Sequence, residues 1–144
     1  MTPQASSDLA ERILEQMAEA VVYADRAGLI ERWNGGATAV FGFAADEALG
    51  HSLDLIIPEQ LRAAHWRGYQ AAMASGTLRL AGRPTLTRGL HKSGLKLYVE
   101  MSFSLVRDAH GKVIGSVAVA RDVSERVNRE KAARSAQPGP GAAQ

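Results

Sequence analysis

The chain has 144 residues, 46% of them hydrophobic, with 17 basic against 15 acidic side chains and a formal charge of +2, which fits one compact domain around one core. The charges are scattered, with no Lys/Arg stripe interleaved with aromatics, so nucleic acid is not an expected partner; the absence of cysteine excludes disulfides, thiolate metal sites, thiol nucleophiles and cysteinyl cofactor adducts. Met1–Ser7 lacks a basic start followed by an apolar stretch, and no apolar run approaches the ~20 residues of a membrane span, so no membrane contact and a cytoplasmic location are expected.

From Ser7 the pattern turns helical. Leu9, Ile13 and Met17 recur every fourth residue, while Glu11, Arg12, Glu15 and Gln16 fill the other face. This N-terminal helix, within residues 1–19, is either a lid on its own domain or a dimer helix. Ala20–Ala24 and Leu29–Trp33 are short and apolar, and the turn chemistry of Asp25–Gly28 between them predicts a β-hairpin. Ala37–Phe41 and Ala45–Leu49 read as short helices closed by Gly42 and Gly50. Pro58 suits the first turn of a longer helix, where its missing N–H had no partner, and Glu59–Ala74 continues it to Ser75-Gly76.

The last third predicts three antiparallel strands. Leu95, Leu97, Val99, Met101, Phe103 and Leu105 alternate with Lys96, Tyr98, Glu100, Ser102 and Ser104, the pattern of a strand with one buried and one wet face. Leu78–Arg88 before it and Lys112–Ala120 after it complete a meander, which with the first hairpin makes five strands. Asp122, with Glu125 at capping-box spacing, predicts the N-terminus of a charged exit helix over 122–133. The Pro/Gly-rich tail, 134–144, is expected to lack order.

Strand pair, short helices, longer helix, three strands and exit helix follow the element order of PAS domains, and the residues from about Ile13 to Glu130 resemble that family. The matching words are Glu31-Arg32-Trp33-Asn34 with Ala37 and Phe41-Gly42-Phe43, Glu47-Ala48-Leu49-Gly50, Ile56-Ile57-Pro58, the turn at Lys92 and Gly94, and Arg121-Asp122-Val123-Ser124-Glu125. The last is similar to the family's Asp-Ile-Thr junction, where the final strand becomes a signalling helix. The resemblance implies an α+β PAS fold for 20–121, a five-stranded antiparallel sheet with helices over one face.

Within the family, Ile57-Pro58-Glu59-Gln60-Leu61-Arg62-Ala63-Ala64-His65 resembles the heme-binding oxygen sensors of the FixL and Dos type, which implies heme b with His65 as axial iron ligand. Independently of that resemblance, His65 shares a helix face with Leu61, Gly68, Tyr69 and Ala72. Gly68 costs ~1 kcal/mol against alanine inside a helix, a cost more easily explained if something bulky lies beside it. The alternative is a helix histidine that only hydrogen-bonds nearby. The resemblance places Arg83 where FixL-type domains keep an arginine that donates to bound oxygen, with Pro84 holding it extended on an edge strand. Leu78, Leu97, Val99, Met101 and Phe103 would form the apolar wall, Met101 also being a candidate sixth ligand. No basic residue follows His65 on its own helix at the family's propionate-binding place, which leaves Arg67 and Arg79.

Two functions follow as expectations. One is a heme-based sensor of oxygen or another diatomic gas, a homodimer through its terminal helices, that signals in trans to a protein such as a histidine kinase and so toward regulation of transcription. The other is a heme-free PAS module acting as a dimerisation or adaptor domain or a small-molecule receptor. An enzyme is not expected: there is no nucleophile elbow, phosphate-binding glycine loop or kinase signature, and His51, His65, His91 and His110 fall on separate elements.

Overall fold

A computed structural model describes residues 3–79 and 82–136. The order is α1 (Pro3–Gln16), β1 (Ala20–Asp25), β2 (Ile30–Trp33), α2 (Gly35–Phe41), α3 (Ala45–Ala48), a 3-10 turn (Leu53–Ile56), α4 (Glu59–Ser75), β3 (Thr85–Leu90), β4 (Lys96–Arg107), β5 (Val113–Asp122) and α5 (Ser124–Ala136). All strand pairs are antiparallel, in spatial order β2-β1-β5-β4-β3. This is the expected five-stranded α+β architecture, with β3 at an edge.

The hairpin turn forms because Asp25 organises it. Its carboxylate accepts from the amides of Ala27 and Leu29 at 2.9 and 3.0 Å, and Gly28 takes φ +81, a conformation open to glycine at little cost. The sheet's inner face then carries Val22, Ile30, Trp33, Leu97, Val99 and Ala120 into one cluster with Ala37, Phe41 and Ile56 from the helical side. Phe41, Ile30 and Val99 are fully enclosed, each contributing about 1.5–3 kcal/mol of burial.

Asn34 joins three elements in this core. Only 2% exposed, it caps α2 by accepting from Ala37 N at 2.9 Å and accepts from Val21 N at 2.8 Å. Its amide donates to the carbonyls of Leu14 and Glu19 at 2.8 and 3.0 Å. All four hydrogen-bonding positions of the side chain are thus used.

The main departures from the sequence reading lie at α1, β3 and α5. Helix α1 begins at Pro3 rather than Ser7, and its apolar stripe is not covered, with Leu9, Ile13 and Met17 at 46%, 56% and 38% exposure. The expected strand Leu78–Arg88 shrinks to Thr85–Leu90, because Gly82 turns to φ +69 and Pro84 has no N–H for the ladder; one bond, Gly82 N to Phe103 O at 3.3 Å, precedes the strand. The exit helix starts at Ser124 and runs to Ala136, so order extends past the expected start of the tail at 134, and 137–144 lie outside the described residues. Asp122 accepts from Ser124 N at 2.9 Å and not from Glu125 N as the expected capping box requires; Val123 N is still held by Tyr98 O of β4 at 2.8 Å, so the helix starts one residue later.

The outer face of β4 is also less wet than its alternation implies. Ser124 Oγ accepts from Tyr98 N at 2.9 Å, Lys131 of α5 lies 4.4 Å from the Tyr98 ring centroid and donates to its hydroxyl, and Arg126 pairs with Glu100 at 3.8 Å. The exit helix is therefore fastened to one end of β4. Among the described residues, no helix is long and apolar enough to cross a membrane.

Candidate functional site

Helix α4 lies against the inner face of the sheet, braced at both ends. Near its start, Arg62 donates to Ile57 O at 3.0 Å and Asp54 O at 3.2 Å. One turn on, the Trp66 indole donates to Asp54 Oδ1 at 2.8 Å, and its ring fills the space that a Cβ on Gly28 would occupy, 2.2 Å away. Farther along, the Tyr69 hydroxyl donates to Asp25 O at 2.5 Å, and at the end Arg26 donates to Met73 O at 3.3 Å and Val113 O at 2.7 Å. The helix is thus tied to the β1–β2 hairpin along its length.

Between α4 and the sheet lies a cleft of about 670 Å³, lined by His65, Gly68, Tyr69, Ala71, Ala72, Met73, Ser75, Thr77, Leu78, Arg79, Phe103, Leu105 and Ser116. Its volume lies within the ~300–1,000 Å³ typical of cofactor and small-molecule sites. A second chamber of about 310 Å³, lined among others by Phe41, Ile56, Leu61, Met101 and Phe103, also reaches His65. His65 and Phe103 therefore border both spaces.

The His65 ring stands edge-on to Trp66 at 4.7 Å and tilted against Tyr69 at 5.6 Å, centroid to centroid. Burial holds it below the ordinary histidine value of 6.5, with the Asp54 carboxylate opposing that shift, so the imidazole is neutral at pH 7. Its Nδ1 is enclosed and has no hydrogen-bond partner among the described residues. An unpartnered buried polar atom of this kind costs about 1–3 kcal/mol. Gly68 opens into the large cleft: a Cβ there would meet nothing within 4 Å.

The structure brings His65, Gly68, Tyr69, Ala72, Leu78 and Phe103 together around the large cleft and places Met101 on the smaller chamber. Leu97 and Val99, 8% and 0% exposed, pack in the main core and line neither space. Arg83 is exposed before β3 and lines neither space, because the chain does not enter the sheet until Thr85. Arg67 is exposed and lines neither, whereas Arg79 lines the large cleft. Leu105 and Ser116 are additions; Leu105 follows from the β4 alternation, while Ser116 had no signal apart from its place on a neighbouring strand.

The chain matches the family described as PAS fold over residues 14–128. It belongs to the PAS family. It is 27% identical over 121 residues to the oxygen sensor protein DosP of Escherichia coli, covering 84% of this chain and 15% of that protein. It is 30% identical over 128 residues to an uncharacterised protein of Azorhizobium caulinodans, covering 88% of this chain and 17% of that protein. The PAS chain therefore spans about a sixth of the length of these curated relatives. A solved PAS domain from Colwellia psychrerythraea superimposes with a TM-score of 0.73 at 18% identity, over 84% of this chain and 99% of that one.

The donor set fits a heme better than a bare metal ion. Among the described residues no group of three or more His, Cys, Asp or Glu side chains converges as a free ion would need, but a porphyrin supplies four ligands of its own and asks the protein for one imidazole. The neutral His65 ring in the cleft wall and the open space beside Gly68 meet that requirement.

Proposed function

We propose that this PAS sensory domain binds heme b in the large cleft with His65 as the axial ligand, and senses oxygen or another diatomic gas. The observation that carries the reading is the neutral, unpartnered imidazole in the wall of a largely apolar cavity of cofactor size. When bound, the heme iron supplies a reversible coordination position for the gas. The chain's own residues do the rest: Trp66 and Tyr69 hold the His65 ring between them, Gly68 leaves room beside it, and Phe103 and Leu105 keep water from the opposite wall. Leu97, Val99 and Met101 back that wall.

For gas to signal, it must bind two conformations with different affinity. Arg83, exposed beside Gly82 and Pro84, is the proposed source of that difference: a movement of this segment would carry its guanidinium toward the gas, favouring oxygen through its partial negative charge. The signal would pass through β4 to α5 and then to a partner such as a histidine kinase. Purification after expression with a heme precursor tests the reading. A Soret band that shifts with oxygen and carbon monoxide, and disappears in His65→Ala, is expected; colourless wild-type protein refutes it.

With or without heme, the uncovered stripe of Leu9, Ile13 and Met17 along α1 and just past its end supports dimerisation, the role that a heme-free adaptor would keep. Sedimentation of the wild type against Ile13→Glu tests it, with a dimer lost in the variant as the supporting result and a monomer in both as the refuting one.

A further inference from the structure

Trp66 stands behind His65. It lines neither the large cleft nor the smaller chamber, and its half-buried ring meets the imidazole edge to face at 4.7 Å between centroids. Its indole N–H donates to Asp54 Oδ1 at 2.8 Å, and the Asp54 side chain is 41% exposed. A path of contacts thus runs from the cleft wall through two aromatic rings to a carboxylate at the surface.

The chain has two tryptophans and three tyrosines, and the partners of their polar hydrogens differ in kind. Trp33 donates to Thr38 Oγ1 at 3.1 Å and Phe43 O at 3.0 Å. Tyr23 donates to Ile114 O at 3.2 Å, and Tyr69 to Ala24 O at 3.2 Å and Asp25 O at 2.5 Å. Tyr98 instead accepts from the Lys131 ammonium. Hydroxyls and backbone carbonyls do not take up a proton at neutral pH, whereas a carboxylate is ionised there and can. Of these five side chains, Trp66 alone gives its hydrogen to a carboxylate, at the distance a general base needs.

Two further observations favour that proton's departure from Trp66 over any from Tyr69, the other ring against His65. Burial pushes the Tyr69 hydroxyl well above its ordinary value, so it resists deprotonation. Arg62 comes only within 3.9 Å of the same Asp54 oxygen and directs its N–H groups to the carbonyls of Ile57 and Asp54, which leaves the carboxylate open to a proton.

We infer that Trp66, with Asp54 as its proton acceptor, is a one-electron donor to a heme seated at His65 when that heme meets hydrogen peroxide. The inference rests on the heme reading. The peroxide O–O bond breaks and takes up two electrons, one from the bound group and one from the indole; with two protons from solvent the oxygens leave as water. The indole N–H bond breaks toward Asp54 Oδ1, leaving a neutral tryptophanyl radical beside a protonated carboxyl. A one-electron reductant such as ascorbate then restores the ring, and Asp54 returns the proton. The pair draws oxidising equivalents away from the axial imidazole toward the surface.

The whole chain is loaded with hemin, mixed with hydrogen peroxide and frozen for electron paramagnetic resonance, with peptide mass mapping of the products, alongside Trp66→Phe and Asp54→Asn. The asparagine keeps the size and an acceptor oxygen for the indole but cannot hold its proton, so this variant keeps the packing that Trp66→Phe disturbs. Wild type is expected to give a tryptophanyl signal and added oxygen on the peptide that carries Trp66. Asp54→Asn should lower the signal about tenfold or more, the weight of a hydrogen bond to a charged group, with its Soret band intact. Trp66→Phe should abolish the signal and hasten bleaching of the Soret band by peroxide; should that variant fail to hold hemin, Asp54→Asn and the mapped peptide decide. A Soret band without a tryptophanyl signal, a signal that survives Trp66→Phe, or one undiminished in Asp54→Asn overturns the inference and leaves the heme reading standing. Colourless wild-type protein overturns both.

Discussion

Replacing Asn34 by Asp changes one group and separates capping from bracing. The carboxylate keeps both acceptor roles, toward Val21 N and Ala37 N, so the cap on α2, worth about 1 kcal/mol, survives. What fails is the other end of the side chain, where an oxygen replaces the nitrogen that donates to Leu14 O at 2.8 Å and Glu19 O at 3.0 Å. Two carbonyls lose their donor and face a negative oxygen instead. At about 1–3 kcal/mol for each unmet group, Asn34→Asp should cost about 3–5 kcal/mol at pH 7 in urea unfolding followed by tryptophan fluorescence.

The sign of the pH dependence identifies the cause. Burial and the two carbonyls disfavour the charged form, so the new carboxyl's folded value is raised above its unfolded value of about 3.9. Its penalty is therefore absent below that unfolded value and grows as pH rises toward the folded one. Relative to wild type, Asn34→Asp should recover on acidification, because the protonated acid again donates one hydrogen bond, while Asn34→Ala should show no such recovery. Amide exchange in α1 should quicken in both. A loss under about 0.5 kcal/mol, or the same pH profile for Asp and Ala, would refute the account of Asn34 as the joint between α1, β1 and α2.

Gly28→Ala should destabilise by about 2–5 kcal/mol, the sum of a left-handed alanine and a clash with the Trp66 ring; in a double-mutant cycle with Trp66→Leu part of that cost should vanish, and strict additivity would dismiss the clash. In an alkaline absorbance titration of the three tyrosines, Tyr98 should ionise below the ordinary value of 10.0 because Lys131 holds its hydroxyl, and Tyr23 and Tyr69 above it because of burial. Lys131→Met should return Tyr98 to the ordinary range. Because the folded value of Tyr69 is raised, its contribution to stability is complete below pH 10 and declines as pH climbs from there. His65 has the opposite sense: its lowered folded value means that stability is full above about 6.5 and declines as pH falls from there to the folded value, a slope that His65→Gln should reduce.

The sequence made some of this legible and hid the rest for identifiable reasons. Leu97 to Leu105 showed β4 because a strand's two faces are written in every second letter, and Pro58 with Gly76 framed α4 because both ends of a helix leave local chemical marks. The segment 78–84 misled because Leu78 carries an apolar strand signal while Gly82 and Pro84 withhold the ladder. Val123 misled for a tertiary reason: its amide is claimed by Tyr98, a residue of another strand. In the site, His65, Gly68, Tyr69 and Ala72 were readable together because they share one helix face. Ser116 joins them only through strand pairing, and the choice of Arg79 over Arg67 depends on which way the chain turns after α4.

Strand β4 carries Phe103 at the cleft and Tyr98 at the exit helix, five residues apart, or about 17 Å at strand rise. It is paired with β3 from Lys96 to Met101 and with β5 from Val99 to Arg107, so it resists bending between those points. A side chain pressed aside at one end is felt at the other as a shift of the whole rod, and the place where that rod ends is the place where Ser124 and Lys131 grip it. Under the proposed function, the sheet would serve as a stiff beam between the chamber beside α4 and the helix that follows β5.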